Sequence, residues 1–200
     1  MQEQLRGRIG VGLPLLVCGM MSVWMASCRM QPLGDRPDGM VRGVDGAVID
    51  DGAYFPRIAS ENLNGDAVVL PDDLAGDPAL VLVAFKQRQQ INVNTWLDRL
   101  DAIESGIEGG RVIETPTISG RKWGWMAGFI DGGMRSGIPD LEARARTITL
   151  YTDVSAFREA LGLGSVDTIY GVLLDERSRV VDVVEGDFSD AKLQRLIDAL

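Results

Sequence analysis

The sequence predicts an α/β domain with a central mixed β-sheet and helices on both faces. Three observations support this prediction. A continuous β-prone apolar run at residues 79–85 is typical of a central strand buried on both faces. Apolar residues at spacings of three and four then indicate a helix with one buried face. Farther along, β-prone and helical segments alternate, and 46% apolar content suffices for a core.

The first predicted elements form a β-hairpin. Tyr54-Phe55-Pro56 opens the domain. Residues 62–66 are predicted to turn, because their Asn-Gly pair tolerates a positive φ. Residues 67–70 are predicted to form a short strand, which Pro71 closes.

The elements that follow the central strand are a helix and a short strand. Gly109-Gly110 ends the helical pattern, and residues 111–114 are predicted to be a strand. The predicted helix has one apolar face, made of Val93, Trp96, Leu97, Leu100, Ile103 and Ile107.

The C-terminal part of the sequence is predicted to form a strand, a helix, a hairpin and a last helix. Asp153 is a candidate N-cap after a strand at 147–152, and Gly162 is a candidate left-handed C-cap. Residues 168–174 and 179–184 are predicted to pair as a hairpin. Ser189 is predicted to cap a last helix with Leu193, Leu196, Ile197 and Leu200 on one face.

The N-terminus has the pattern of a secretory signal. Arg6 and Arg8 precede an apolar stretch, and Met25-Ala26-Ser27-Cys28 resembles the lipobox of bacterial lipoproteins, with Met25 in place of the usual Leu. The resemblance implies a signal peptide at 1–27 and a lipidated Cys28 whose lipid inserts into a membrane of the cell envelope. The domain would then lie in the periplasm. The alternative is an uncleaved anchor with an incidental cysteine. Residues 28–52, rich in Gly, Asp and Pro, are predicted to be a flexible tether to a domain at 53–200.

Composition excludes several function classes. With 20 basic and 29 acidic residues the net charge is -9, which disfavours nucleic-acid binding. The chain has no histidine, the commonest general base and zinc ligand, and it has no calcium-loop spacing. Its two cysteines, Cys18 and Cys28, precede the domain, so no thiol chemistry is expected there. We therefore expect no metal site and no cofactor.

Several stretches resemble the thioredoxin-like superfamily, especially its peroxiredoxin and lipoprotein-thioredoxin branches. The resemblance covers roughly residues 54–200. It implies a nucleophilic cysteine at the helix N-terminus after the central strand, where the helix dipole would lower the pKa of the thiol. The matching stretches are Phe55-Pro56, Asn64-Gly65 with Leu70-Pro71, residues 80–85, residues 149–153 and Val172-Leu173-Leu174-Asp175.

The residues that should carry thioredoxin chemistry are missing. Lys86-Gln87-Arg88-Gln89-Gln90 stands where the cysteine belongs, and residues 167–170 lack the expected cis-proline. Thr115-Pro116-Thr117 is a candidate substitute for that proline. We predict no catalytic residue. Lys86, Gln87 and Gln90 are either a solvated loop or a cleft that binds a polar or anionic group at a helix N-terminus.

An insertion at residues 120–139 interrupts the basic fold. Its aromatic, methionine and arginine residues are types enriched at partner interfaces. The alternatives are a partner-facing or lipid-facing surface and a helix whose tryptophans belong to the core. Asp131, Arg135, Asp140, Arg144 and Arg146 are predicted to fasten the insertion as an ion-pair cluster, and an acid-base role for Asp131 lacks a second candidate residue. The predicted partner-binding residues are Trp123, Trp125, Met126, Phe129, Asp131, Met134 and Arg135.

A second resemblance is to the mitochondrial ATP synthase assembly chaperones. It rests on this insertion with Met134-Arg135 and Ile138-Pro139, and on residues 147–153 and 170–175. That family keeps a thioredoxin-like frame without catalytic cysteines, although its members are matrix proteins without a lipid tether. We therefore predict a redox-inactive envelope lipoprotein that binds or assembles a membrane or envelope protein. The alternative is a small-molecule-binding module or a non-thiol enzyme that uses the Lys86–Gln90 cleft.

Overall fold

The computed structural model describes residues 40–42, 48–50 and 53–200. Cys28 and the predicted signal peptide at 1–27 lie outside the described residues. Within the segment predicted as a tether, strands β1 (Met40–Arg42) and β2 (Val48–Asp50) pair antiparallel.

The domain alternates strands and helices along the chain. Its strands are β3 (Ile58–Glu61), β4 (Ala67–Leu70), β5 (Ala79–Ala84), β6 (Arg111–Ser119), β7 (Leu150–Thr152), β8 (Tyr170–Leu174) and β9 (Val180–Glu185). Its helices are α1 (Gln90–Leu97), α2 (Leu100–Gly106), α3 (Gly120–Trp123), α4 (Ala127–Gly137), α5 (Leu141–Arg146), α6 (Val154–Ala160) and α7 (Asp190–Asp198). Short 3₁₀ turns lie at Asp72–Leu74, Gln87–Gln89 and Gly124–Met126.

A five-stranded mixed sheet organises the domain in the order β7-β6-β5-β8-β9. The β5–β6 and β6–β7 pairs are parallel, whereas β8 is antiparallel to both β5 and β9. Strands β3 and β4 form a separate antiparallel hairpin. The predicted α/β class, with a mixed sheet and helices, is confirmed.

The core has two halves, one on each face of the sheet. All six residues of β5 are buried. Val81 and Val83 belong to the half that includes Phe55 and Phe157, whereas Leu80 and Leu82 belong to the half that includes Trp96. The prediction of a central strand buried on both faces is therefore confirmed.

Two predicted elements differ from the structure. The predicted single helix is two helices, α1 and α2, separated at Asp98 and Arg99. The apolar spacing did not reveal the break, because Val93 and Ile103 on either side pack into the same core half. Strand β6 runs on to Ser119 and includes Pro116. A proline is tolerated there because it is the last β6 residue paired with β5, just before the pairing with β7 begins.

The predicted turns and caps agree with the structure. Gly65 and Gly162 have positive φ angles of 92° and 64°. The Asp153 side chain accepts hydrogen bonds from the Ser155 and Ala156 amides, and the Ser189 side chain accepts one from Lys192. These short polar residues therefore fix where α6 and α7 begin.

Candidate functional site

The carboxyl end of β5 leads directly into the first helix. After Ala84 come Phe85 and Lys86, then the 3₁₀ turn Gln87–Gln89, then α1. This is the position at which the thioredoxin-like resemblance expects a cysteine. Lys86 and the turn Gln87–Gln89 stand at this position, and no cysteine is among them.

The Gln89 side chain closes this position from inside. It is buried, with 2% of its surface exposed. Its Oε1 accepts hydrogen bonds from the amides of Phe85 at 2.8 Å and Lys86 at 2.9 Å. Its Nε2 donates to the carbonyls of Val166 at 2.9 Å and Thr168 at 3.2 Å. One neutral amide thus joins the loop after β5 to the segment before β8.

An ion pair crosses the same gap at the surface. Lys86 Nζ donates to Asp167 Oδ1, and the Arg88 guanidinium lies 3.6 Å from that oxygen. The hydrogen bond from Lys86 and its positive charge lower the pKa of the Asp167 carboxyl. Gln90 Nε2 donates to Asn94 Oδ1 at 3.1 Å, whereas Gln87 is exposed. Two of the three side chains of the predicted ligand cleft therefore already have partners within the chain, and the cleft stays a prediction.

Sequence reasoning missed a buried carboxyl beside this position. Glu114 on β6 has 4% of its surface exposed. Burial raises the pKa of Glu114, and a hydrogen bond from Gln90 and the charge of Arg146 offset part of that rise. The sequence signal for it is an acidic residue directly after the apolar pair Val112-Ile113, within a β-prone stretch.

The Thr115-Pro116-Thr117 stretch lies inside β6, with Pro116 opposite Ala84 of β5. It therefore does not occupy the segment before β8, where the thioredoxin-like cis-proline is expected. Among the described residues, the cis peptide bond is Leu70-Pro71.

The insertion exposes its aromatic residues. The exposed fractions are 47% for Trp123, 81% for Trp125 and 78% for Phe129. The alternative in which these tryptophans are core residues is therefore wrong. Met126 and Met134 are half-buried. We call Trp123, Trp125 and Phe129 the aromatic patch.

Hydrogen bonds from two arginines to backbone carbonyls help to fasten the insertion. Arg135 Nε donates to the Leu63 carbonyl at 2.5 Å, in the turn between β3 and β4. Arg144 donates to the carbonyls of Ile138 and Arg135. Asp140 instead caps α5 by accepting from the Ala143 amide at 2.7 Å. The predicted ion-pair cluster is therefore wrong, because Arg135, Arg144 and Asp140 hydrogen-bond to backbone groups instead of to one another.

Asp131, the remaining predicted partner-binding residue, faces the sheet. Its Oδ1 accepts a hydrogen bond from the Tyr151 hydroxyl at 3.0 Å, and the same hydroxyl lies 3.3 Å from the Ala127 carbonyl. Both residues line a cavity of about 760 Å³ between the β3–β4 hairpin and the insertion. We call it the hairpin–insertion cavity. Its walls are Ala59, Ser60, Glu61, Ala67, Gly120, Gly124, Ala127, Gly128, Asp131, Tyr151, Thr152 and Asp153.

The described part of the chain contains neither a cluster of metal-binding side chains nor a membrane-spanning helix. No group of three or more His, Cys, Asp or Glu side chains there is placed to hold a metal ion. No helix there is long and apolar enough to cross a membrane.

Comparison with known proteins identifies the fold. No family model and no curated protein matches the sequence. A DsbF homologue from Corynebacterium diphtheriae is similar in structure, with a TM-score of 0.53 and 15% identity over 87% of this chain and 100% of that one. BsSco, of the Sco family of cytochrome c oxidase assembly proteins, gives a TM-score of 0.50 and 12% identity over 74% and 94%. The exposed lipoprotein thioredoxin of Streptococcus pneumoniae gives 0.49 and 17% over 71% and 98%. The chain has a thioredoxin-like fold.

Replacing Gln89 tests whether its side chain stabilises the contact between the loop after β5 and the segment before β8. In Gln89→Leu the amides and carbonyls that Gln89 satisfies lose their partner, so we expect a loss of about 3 kcal/mol in the free energy of unfolding. Urea denaturation measures it. The matched control is Gln87→Leu, exposed in the same turn, which we expect to stay within about 0.5 kcal/mol of the parent. Equal losses in both variants would contradict the role.

Replacing Glu114 tests its raised pKa. Because the folded-state pKa lies above the unfolded one, the contribution of Glu114 is fully present below the unfolded pKa and is lost as pH rises through the folded pKa. Glu114→Gln should therefore match the parent near pH 4 and become more stable than it towards pH 8. Urea denaturation across that range measures the difference. Glu104→Gln, on exposed α2 surface, should show no such divergence, and parallel profiles for Glu114→Gln would refute the shift.

Proposed function

We propose that this protein is a redox-inactive, thioredoxin-like envelope lipoprotein that binds a membrane or envelope protein as a scaffolding or assembly factor. The observation that carries the proposal is the aromatic patch. A folded domain that leaves two tryptophans and a phenylalanine exposed within seven residues has large apolar area available for a partner.

The absence of a thiol supports a non-enzymatic role. Cys18 and Cys28 both precede the domain, so no cysteine follows β5. Gln89 fills the interior of that position, and Lys86 with Asp167 bridges its surface. The thioredoxin-like fold is thereby kept without the group that performs thiol-disulfide exchange.

The insertion is attached to the domain in a way that suits an interface. Arg135 anchors it to the β3–β4 turn, and Tyr151 anchors Asp131 to β7. These contacts lie on the inward side and leave the aromatic patch uncovered. Rigid aromatic side chains bury large area with few rotatable bonds, so they lose little entropy when a partner binds.

Two likenesses support an assembly role. The insertion resembles that of the mitochondrial ATP synthase assembly chaperones, which also lack catalytic cysteines. The structurally similar BsSco belongs to a family of cytochrome c oxidase assembly proteins. The lipobox-like Met25–Cys28 segment would hold the domain at a membrane, next to such clients.

In-cell crosslinking of the tagged full-length protein, followed by mass spectrometry, tests the proposal. We expect a reproducible envelope protein that is captured by the parent and lost in the double variant Trp123→Ala, Phe129→Ala. We expect Trp125→Ala to weaken capture as well. Because these side chains are exposed, their replacement should change the unfolding free energy by less than about 1 kcal/mol. Loss of capture would then report the surface and not the fold.

Ile91→Ala is the matched control for this experiment. Ile91 is 72% exposed on α1, which is not part of the insertion, so its replacement should leave capture unchanged. Equal capture by the parent and the aromatic variants would rule out the patch as the binding surface. A marked fall in melting temperature in the aromatic variants would show that the patch stabilises the domain instead.

A further inference from the structure

The hairpin–insertion cavity is a second feature of the insertion, distinct from the aromatic patch. Its volume of about 760 Å³ falls within the range of about 300–1,000 Å³ typical of small-molecule sites. Glycines and alanines make up half of its walls, so backbone and methyl groups form broad apolar surfaces. Strand β3 lies on one side, the end of β7 on another, and α3 with the start of α4 closes the third.

The charged residues described on the cavity walls are all acidic. Glu61, Asp131 and Asp153 line the cavity, and no lysine or arginine is among the described residues that do so. Asp153 is already engaged as the N-cap of α6, so the carboxylates that can meet an occupant are those of Glu61 and Asp131. Two carboxylates at one cavity favour a positively charged occupant and oppose an anionic one.

Tyr151 and Asp131 give the cavity a preorganised polar centre. The Tyr151 hydroxyl donates to Asp131 Oδ1, which holds the carboxylate in place while leaving it capacity to accept further hydrogen bonds. Burial, followed by the negative charge of Asp131, raises the pKa of Tyr151, so the phenol remains a neutral donor. A fixed carboxylate binds a cation without losing its own side-chain freedom on binding.

We infer that the hairpin–insertion cavity binds an organic cation, a primary ammonium or guanidinium group carried on an apolar chain. The carboxylates recognise the charge, and the alanine and glycine walls cover the chain. A bare metal ion does not fit this description, because no three of the described carboxylates are placed to hold one and the walls are largely apolar. The same chemistry is present in a free diamine and in a lysine or arginine side chain of a bound peptide.

Calorimetric titration of the full-length protein in detergent tests this inference with defined probes. The probes are agmatine, the peptide acetyl-Ala-Arg-Ala-amide, and the neutral peptide acetyl-Ala-Gln-Ala-amide. We expect saturable binding of at least one cationic probe that weakens with added salt, and none of the neutral peptide. Binding of agmatine alone assigns the site to small amines, and binding of the arginine peptide assigns it to a basic side chain of a protein ligand.

Asp131→Asn is the decisive variant. Asparagine can still accept the Tyr151 hydrogen bond, so the fold should be kept while the charge is removed; we expect Kd to rise at least about tenfold. Glu61→Gln should weaken binding in the same direction. Asp101→Asn, exposed on α2, is the matched control and should bind like the parent. The inference fails if neither cation binds the parent or if Asp131→Asn binds as tightly. Capture of a partner by the aromatic patch is unaffected by either result.

Discussion

The two-sided burial of β5 places the helices and the hairpin that cover the sheet. Successive side chains of this strand point to opposite core halves, so each face of the sheet needs its own cover. Helices α1, α2 and α7 cover one face, and α6 with the β3–β4 hairpin covers the other. Apolar residues at every position of one short strand are therefore sufficient to require layers on both sides.

The turn after β5 has a structural side chain at the position where thioredoxin-like enzymes have their cysteine. At the helix N-terminus after β5, a thioredoxin-like enzyme exposes a sulfur that must be accessible and negatively charged. Here Gln89 turns inward and uses both of its polar atoms on backbone groups from two segments. The position after β5 therefore holds a side chain that joins two backbone segments.

Features with a local physical cause could be predicted from sequence. The run at 79–85 predicted β5, and Asp153, Gly162 and Ser189 marked helix ends, because capping depends on neighbouring residues alone. Features that depend on distant partners could not be predicted. The Tyr151–Asp131 hydrogen bond spans 20 residues, and the Gln89 bonds span nearly 80, so no spacing rule reveals them. The exposure of Trp123 and Trp125 was equally unpredictable, since composition alone does not say which way a tryptophan faces.

Helix α4 contains four glycines among its eleven residues: Gly128, Gly132, Gly133 and Gly137. A methyl group at any of them would meet no neighbouring atom within 4 Å, so packing does not require glycine there. Each glycine costs a helix about 1 kcal/mol relative to alanine, so α4 depends on its tertiary contacts with Leu63 and Tyr151 for its helical shape. Removing those contacts would therefore loosen α4 while leaving the sheet intact.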